Sequence, residues 1–482
     1  MKTCAFITLG CKVNQYETQA IRESLIARGF VETDPEHAAD LYVINTCTVT
    51  SMSDEKSRQY IKKVRRKNPG ATIVVTGCYA EADAEAIKRM EGVDYVITKS
   101  EEARLAEIIS KDTVRRFPNR ETAMPFRGFY NNKNTSSLTR PSFRSGEPDG
   151  IAIFPSLHGS GNGNEEELAT KPAEDSIYNL KISHFEGHTK GFLKIEDGCD
   201  MYCSYCIIPY VRGGIKSRRP QDIKEEAERL IGNGYKEIVL TGIHLGAYGR
   251  ESRENYRLLD VISMLCNLSG LERLRLSSLE VNEISHSLID LFACSKKLCP
   301  HFHIPLQSGD DFILKRMNRR YTASHYLETL GQIRSKIDLP SFTTDVMVGF
   351  PGEKDAHFES TINLCKQAGF SRIHIFPFSE RKGTPAAKMP DHCHPEIIKH
   401  RKVLLEDTAN ALAFAYKKKF LTLDRPAEVL VEVERDPKTK KLCGYSERYI
   451  KVFFDGPDTI KNTVAPVQIE DITPSFAIGT LL

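Results

Sequence analysis

The chain has 482 residues, with 67 Lys+Arg against 64 Asp+Glu, 13 Cys and no Trp. At roughly 100–200 residues per domain, that length implies roughly two to four domains, each able to bury a core. A net charge of +3 excludes a uniformly basic nucleic-acid coat, and 13 cysteines, a sparse and odd total, exclude a disulfide-stapled mini-protein.

The first ten residues carry one charge and an apolar run that stops at Gly10, too short for a signal peptide. No uninterrupted apolar stretch approaches the ~20 residues of a membrane span. A cytoplasmic protein without membrane contact is expected, in which clustered cysteines are metal ligands or redox groups.

Residues 1–111 alternate short strands with helices. Strands are predicted at Thr3–Thr8, Leu41–Ile44, Thr72–Val75 and Tyr95–Ile97, with helices at Glu17–Arg28, Ser53–Arg66 and Ala82–Met90. This alternation predicts an α/β, doubly wound parallel sheet. Cys11, Cys47 and Cys78 each follow the carboxyl end of a predicted strand. In doubly wound sheets those ends open onto one crevice, so cysteines far apart in sequence converge there. A three-cysteine [4Fe–4S] site with one open iron is expected. Each thiol taken singly reads better as a small buried residue, but three at equivalent strand ends read as ligands. Cys4 lies inside a strand and reads as core.

From 112 to 182 the sequence turns polar and Gly-rich, as in Asn131-Asn132-Lys133-Asn134 and Gly159-Ser160-Gly161-Asn162-Gly163-Asn164, and a flexible linker or insertion is expected.

Residues 183–420 return to alternation, with strands predicted at Phe192–Ile195, Glu237–Leu240, Arg273–Leu276, His301–Ile304, Thr343–Val348 and Arg372–Phe376. Helices at Asp222–Ile231, Tyr326–Ile337 and Phe358–Ala368 fall between them. Six βα units predict an open (βα)6 partial barrel. Residues 421–482 switch to short strands at Ala427–Val433, Tyr449–Phe454 and Val464–Ile469, which suits a small closing β-barrel.

Cys199, Cys203 and Cys206 leave the first barrel strand with C-x3-C-x2-C spacing. Three thiolates so spaced can hold three irons of a [4Fe–4S] cube and leave the fourth open. Structural zinc needs a fourth Cys or His, and none follows at short spacing. The spacing and its strand context resemble the radical S-adenosylmethionine (SAM) superfamily. There the open iron binds SAM, and electron transfer cleaves it to a 5′-deoxyadenosyl radical.

The resemblance narrows further. Thr8-Leu9-Gly10-Cys11-Lys12-Val13-Asn14-Gln15-Tyr16-Glu17-Thr18, Asn45-Thr46-Cys47-Thr48-Val49-Thr50 and Thr76-Gly77-Cys78-Tyr79-Ala80 are similar to the N-terminal motifs of the methylthiotransferases. So are Leu276-Ser277-Ser278-Leu279-Glu280, Ile304-Pro305-Leu306-Gln307-Ser308-Gly309, Thr344-Asp345-Val346-Met347-Val348-Gly349-Phe350-Pro351-Gly352-Glu353 and Phe378-Ser379-Glu380-Arg381-Lys382-Gly383-Thr384 in the barrel. The run after Cys11 looks closest to the MtaB-like subgroup. That resemblance implies methylthiolation of threonylcarbamoyladenosine beside the anticodon of tRNA, with two [4Fe–4S] clusters and SAM. It implies an electron donor such as flavodoxin or ferredoxin and leaves the sulfur donor open. In the implied SAM pocket Tyr205 lies against the adenine, with Gly242, Glu280, Gln307 and Gly349 at the barrel top. The terminal domain resembles a TRAM module, yet carries 8 basic against 10 acidic residues over 421–482.

Seven basic residues between Lys56 and Lys67, and Arg212, Lys216, Arg218 and Arg219 after the triplet, are candidate phosphate contacts. Tyr445, Arg448 and Tyr449 are candidates for stacking on bases. His392-Cys393-His394 resembles a metal motif, but three adjacent residues chelate one ion poorly. Cys266, Cys294, Cys299, Cys365 and Cys443 read as packing or surface residues. Competing readings are a radical SAM enzyme acting on another tRNA adenosine or a ribosomal-protein side chain, and a non-catalytic iron–sulfur RNA-binding protein.

Overall fold

A computed structural model describes residues 2–114, 181–185, 189–423 and 425–482. The chain divides into two compact units, 1–107 with 177–482, and 108–176. The expected linker lies, but for its ends, outside the described residues, and the first unit is the subject below.

The N-terminal part runs β1 (Thr3–Thr8), α1 (Lys12–Ile26), β2 (Val31–Glu32), β3 (Leu41–Thr46), α2 (Ser51–Lys67), β4 (Thr72–Gly77), α3 (Cys78–Ala82), α4 (Ala84–Lys88), β5 (Tyr95–Val96) and α5 (Leu105–Val114). All strands are parallel, in the order β2-β1-β3-β4-β5. Every residue of the central strand β3 is buried, as a near-continuous apolar run requires. Helix α1 buries Val13, Tyr16, Ala20, Ile21 and Leu25 at helical spacing. Helix α2 is capped by Thr50, whose side chain accepts from the Ser53 N–H, and its last turn holds Arg65, Arg66 and Lys67, favourable at a helix C-terminus. The strand order reverses between β1 and β3, the point at which such sheets hold their ligands.

The second part runs β6 (Lys190–Lys194), β7 (Glu196–Asp197), α6 (Ile208–Arg212), β8 (Lys216–Ser217), α7 (Pro220–Gly232), β9 (Glu237–Thr241), α8 (Leu258–Cys266), β10 (Arg273–Leu276), α9 (His286–Cys294), β11 (His301–His303), α10 (Asp311–Arg316), α11 (Ala323–Lys336), β12 (Ser341–Val348), α12 (Asp355–Ala368), β13 (Arg372–Pro377) and α13 (Pro395–Lys418). Two parallel three-stranded sheets, β10-β9-β6 and β11-β12-β13, are joined by single bridges Leu274↔Leu298 and Ser278↔His303. They form an open barrel of six strands in sequence order. Leu274, Leu276, Ile238 and Leu240 pack outward into the main core with the helices. Alternate residues Glu237, Arg273, Arg275, His301, His303, Asp345 and His374 turn to the inner wall.

The last strands, β14 (Ala427–Val431), β15 (Leu442–Ser446), β16 (Lys451–Phe454), β17 (Val464–Ile472) and β18 (Ala477–Leu481), close into a barrel in the order β14-β15-β16-β18-β17. Val429, Val431, Leu442, Val452, Phe454 and Val467 fill it. This barrel sits under the amino ends of β9–β11. Arg273 and Arg275 pair with buried Glu237 at 2.8 Å and donate onward to carbonyls of Tyr445, Ser446 and Glu447. Tyr449 lies between His301 and Tyr445, at 4.9 Å from each ring, and Arg448 donates to the Leu339 and Asp338 carbonyls. The three residues proposed to stack on bases are thus used to dock this barrel. Aromatic residues beside a cation suit an internal seam as well as an RNA surface.

Candidate functional site: two cysteine triads at one seam

Glycine and asparagine position the first triad. Gly77 has φ +95°, and a Cβ there would lie 2.3 Å from both the Asn45 Oδ1 and the Thr46 carbonyl. Asn14 donates to Asn45 Oδ1 at 2.9 Å, and Asn45 donates back to the Asn14 carbonyl and the Thr18 hydroxyl, both at 3.1 Å. The Asn14 Oδ1 in turn accepts from the Cys11 thiol at 3.2 Å. A Cβ on Gly10 would sit 3.1 Å from the Cys47 Cβ. One asparagine pillar therefore sets the turns that carry Cys11, Cys47 and Cys78. Burial pushes the Cys78 thiol up to about 11 despite Arg212 and Lys99, and burial also raises Cys47.

The second triad sits on the loop after β7. Gly198 has φ +84°, and a Cβ there would meet the Gly214 carbonyl at 2.0 Å. The Cys199 N–H donates to the Gly213 carbonyl at 3.0 Å and the Cys206 N–H to the Cys203 carbonyl at 2.9 Å. Arg319 donates to the Cys203 sulfur at 3.4 Å and pairs with Glu280. Burial, then its neighbour Cys203, pushes the Cys206 thiol up to about 12, and Cys199 rises through burial and both other thiols. Crowded thiols that resist ionisation are what a bound iron cluster relieves, since a metal deprotonates its thiol ligands outright. Among the described residues neither triad has the mutual spacing of ligands to a single ion. An iron–sulfur cube takes each thiolate on a different iron, and three thiols with no fourth protein ligand are the donor chemistry such a cube accepts.

The residues expected at the barrel top fare differently. Tyr205 meets Phe350 edge-on at 6.5 Å. Gly242 leaves room for Glu196, whose Oε2 would be 2.7 Å from a Cβ at that position. Gln307 and Gly349 have φ +61° and +77°. The Gly349 N–H donates to Glu353 Oε2 at 2.7 Å, so backbone geometry alone accounts for that glycine. Sequence reasoning missed Glu196 and Arg319. Glu196 is buried, accepts from the His244 N–H at 2.8 Å, keeps Oε1 without a partner, and has its carboxyl pushed up to about 8 by burial. The unpartnered oxygen is enclosed, and the carboxyl acts electrostatically on Cys199.

Between the triads lies a buried, charge-balanced network. Glu17 meets Lys99 at 2.5 Å, Lys194 at 2.9 Å and Arg212 at 3.0 Å. Asp197 meets Lys194 at 2.6 Å and Arg212 at 2.9 Å, and Glu102 meets Lys99 at 3.0 Å. Burial alone would raise the Asp197 carboxyl, but Arg212 and Lys194 outweigh it and hold it at about 2. Arg212 reaches further: Nε donates to the Cys78 sulfur at 3.2 Å and Nη2 to Asn14 Oδ1 at 3.3 Å. Arg218 is buried too, on Glu226 at 2.8 Å. Neither arginine is available to phosphates. Arg219 stays exposed, as do Lys56, Lys62 and Arg66 on α2. Cys393 of the His-Cys-His run faces the carbonyls of Phe350 and Glu353, and that run forms no ligand cluster among the described residues. Among these residues no helix is long and apolar enough to cross a membrane.

Comparison with known proteins agrees with this layout. Residues 3–98 match a family described as Uncharacterized protein family UPF0004, and residues 193–365 match the Radical SAM superfamily. A curated relative from Bacillus subtilis, "Threonylcarbamoyladenosine tRNA methylthiotransferase MtaB", is 36% identical over 97% of this chain and 94% of its own. A relative of the same name from Chlamydia pneumoniae is 33% identical over 100% of this chain and 98% of its own. The fold is shared with the radical SAM methyltransferase TsrM from Kitasatospora setae, at TM-score 0.51, 14% identity, and 80% and 74% coverage of the two chains. The radical SAM domain implies SAM and a [4Fe–4S] cluster. With the N-terminal and radical SAM domains in one chain and these relatives along nearly its whole length, the chain belongs to the methylthiotransferase family of radical SAM enzymes, on its MtaB-like branch.

Proposed function

We propose that the protein converts N6-threonylcarbamoyladenosine beside the anticodon of tRNA to its 2-methylthio derivative, with one [4Fe–4S] cluster on Cys199, Cys203 and Cys206 and a second on Cys11, Cys47 and Cys78. The observation that carries the reading is the bridge between the triads. Arg212, in the helix that follows Cys206, donates to Cys78 and to the same Asn14 oxygen that accepts from Cys11. The base carries no acidic proton at the reacting carbon, so side-chain acid–base catalysis has little purchase. When bound, SAM and the clusters supply the methyl group, the sulfur and a carbon radical.

The chain's own residues orient and insulate. Arg319, fixed by Glu280, holds Cys203, and the Gly198 turn sets the loop. Glu196 holds the His244 N–H and braces the loop of Cys199, and Tyr205 would offer a ring to the adenine of SAM. Asn14, Asn45 and Gly77 hold the first triad toward the barrel mouth. The tRNA is drawn by the exposed cations of α2, and an electron donor such as flavodoxin or ferredoxin completes the system.

Nucleoside mass spectrometry of tRNA from cells with and without the gene tests the reading. The methylthio form should vanish on deletion, with threonylcarbamoyladenosine accumulating. Its persistence where no other gene can make it would overturn the substrate. Reconstituted protein should hold about eight irons per chain; about four would overturn the two-cluster reading.

A further inference from the structure

The inner wall of the open barrel carries a group of polar side chains that neither triad uses. His303, Asp345 and His374 come from the three adjacent strands β11, β12 and β13, with Asp345 directly opposite His374 and His303 opposite Thr343. His303 Nδ1 is fixed on the Thr343 hydroxyl at 2.9 Å, which turns Nε2 toward Asp345 Oδ2 at 3.4 Å. The rings of His303 and His374 lie edge to face at 5.9 Å. Each of the three is partly exposed, so the group faces open space in the barrel interior.

Lys12, the residue after Cys11, is half-buried and interacts electrostatically with Arg275, Glu237 and Asp345, which places its side chain on the same interior. Of the other inner-wall cations, Arg273 and Arg275 are engaged on Glu237 and Lys190 lies over the Tyr445 ring at 3.9 Å, while Arg372 at the start of β13 is exposed. The Lys12 amine has no hydrogen-bond or ion-pair partner among the described residues.

The ligand atoms of His303, Asp345 and His374 lie within 4.8 Å of one another, a spacing that also suits one metal ion. The field argues otherwise. Lys12 and Arg372 act on this space, where Arg275 is already balanced by Glu237, and burial together with Arg372 lowers the His374 ring to about 4 against the pull of Asp345. A dication there would meet the Lys12 and Arg372 charges against the single carboxylate of Asp345, whereas the unpartnered Lys12 amine draws in a carboxylate.

We infer that Lys12, His303, His374 and Asp345 form the pocket for the amino-acid substituent of the modified adenine, Lys12 taking its carboxylate and Asp345 its hydroxyl or amide N–H. This rests on the substrate proposed above, whose threonylcarbamoyl group carries one carboxylate, one hydroxyl and two N–H groups. The lysine that follows a cluster ligand would then set how deep the base enters between the triads.

The test uses cluster-loaded full-length enzyme and synthetic anticodon stem-loops with threonylcarbamoyladenosine as free acid or methyl ester. Binding is measured by fluorescence anisotropy and methylthiolation by mass spectrometry. Wild type should bind the acid at least tenfold more tightly than the ester. Lys12→Ala and His374→Gln should each bring that ratio close to one, with iron content and SAM cleavage unchanged. Asp345→Asn should weaken acid and ester alike. A wild-type preference that survives Lys12→Ala and His374→Gln would overturn the pocket and leave the substrate standing. Absence of any wild-type preference, with another adenosine methylthiolated instead, would overturn the substrate as well. Added Zn2+ bound stoichiometrically by wild type and lost in His374→Gln, with the acid-to-ester ratio unmoved, would overturn the pocket in favour of a metal site.

Discussion

Arg212 and Cys78 lie 134 residues apart in sequence, yet the Arg212 Nε donates to the Cys78 sulfur at 3.2 Å. The same guanidinium pairs with Glu17 and Asp197, so one side chain of the radical-cluster helix touches the N-terminal sheet by charge and by sulfur. Replacing it leaves Glu17 and Asp197 buried with fewer partners. Breaking a buried pair from one side costs about 3–5 kcal/mol. Arg212→Ala should lower the urea midpoint accordingly and reduce iron bound at the N-terminal triad. Arg212→Lys should recover part of the stability but not the iron, because an ammonium cannot serve Cys78, Asn14 and two carboxylates together. Denaturation followed by circular dichroism and iron analysis of the same samples check both.

The triads should be separable. Cys11→Ala should drop iron from about eight to about four per chain and abolish methylthiolation while SAM cleavage persists. Cys203→Ala should abolish both activities. If Cys11→Ala also stops SAM cleavage, the triads do not act separately.

Gly77→Ala places a methyl group 2.3 Å from the Asn45 amide oxygen and the Thr46 carbonyl, at a φ of +95°. Left-handed backbone alone costs an L-residue roughly 1–2 kcal/mol, before the clash. Loss of at least about 2 kcal/mol of stability and of the N-terminal cluster is expected, read by thermal unfolding and iron content.

Glu237 gives a pH dependence. Burial would raise its carboxyl, but Arg275 and Arg273 outweigh that and lower it from 4.5 to about 2. A carboxyl depressed in the fold contributes stability that is present above its unfolded value and is lost as pH falls through the folded one. Stability should therefore drop between pH 4.5 and about 2, by on the order of 3 kcal/mol from this group. Glu237→Gln should flatten that part of the curve, measured by urea unfolding across the range.

Strand positions were legible from apolar runs such as Leu41–Ile44 and from strict alternation such as Arg273–Leu276, and Thr3–Thr8 and Arg273–Leu276 match their predicted bounds. The edges were harder. Helix α1 starts at Lys12 rather than Glu17, since its first turn is capped by no side chain of its own. The short pairs Val31–Glu32 and Glu196–Asp197 carry no period to detect, and the 24-residue α13 shows only a weak apolar stripe because it packs over the barrel edge with much of its surface outward. The six cysteines were visible through spacing and strand ends. Glu196, Arg319 and the inner-wall group were not, because a lone Glu, Arg or His in a strand or loop has no pattern until the fold gives it neighbours. Arg212 and Arg218 misled for the same reason: a basic run looks solvated until its carboxylates, Glu17 and Glu226, arrive from elsewhere.

The six charges that pin α1 against β6 also limit how the machine can move. Parting the N-terminal sheet from the barrel would break Glu17 from both Lys194 and Arg212 and take Arg212 from Cys78 and Asn14, at several kcal/mol for each buried ion pair broken. A swinging domain that ferries sulfur from one triad to the other would have to break these buried pairs on every cycle, and the seam opposes it. The gap keeps a set width, and the nucleotide has to do the travelling: it must leave its neighbours in the anticodon loop and enter edge-first, paying the unstacking cost that enzymes acting on single bases meet by extruding them.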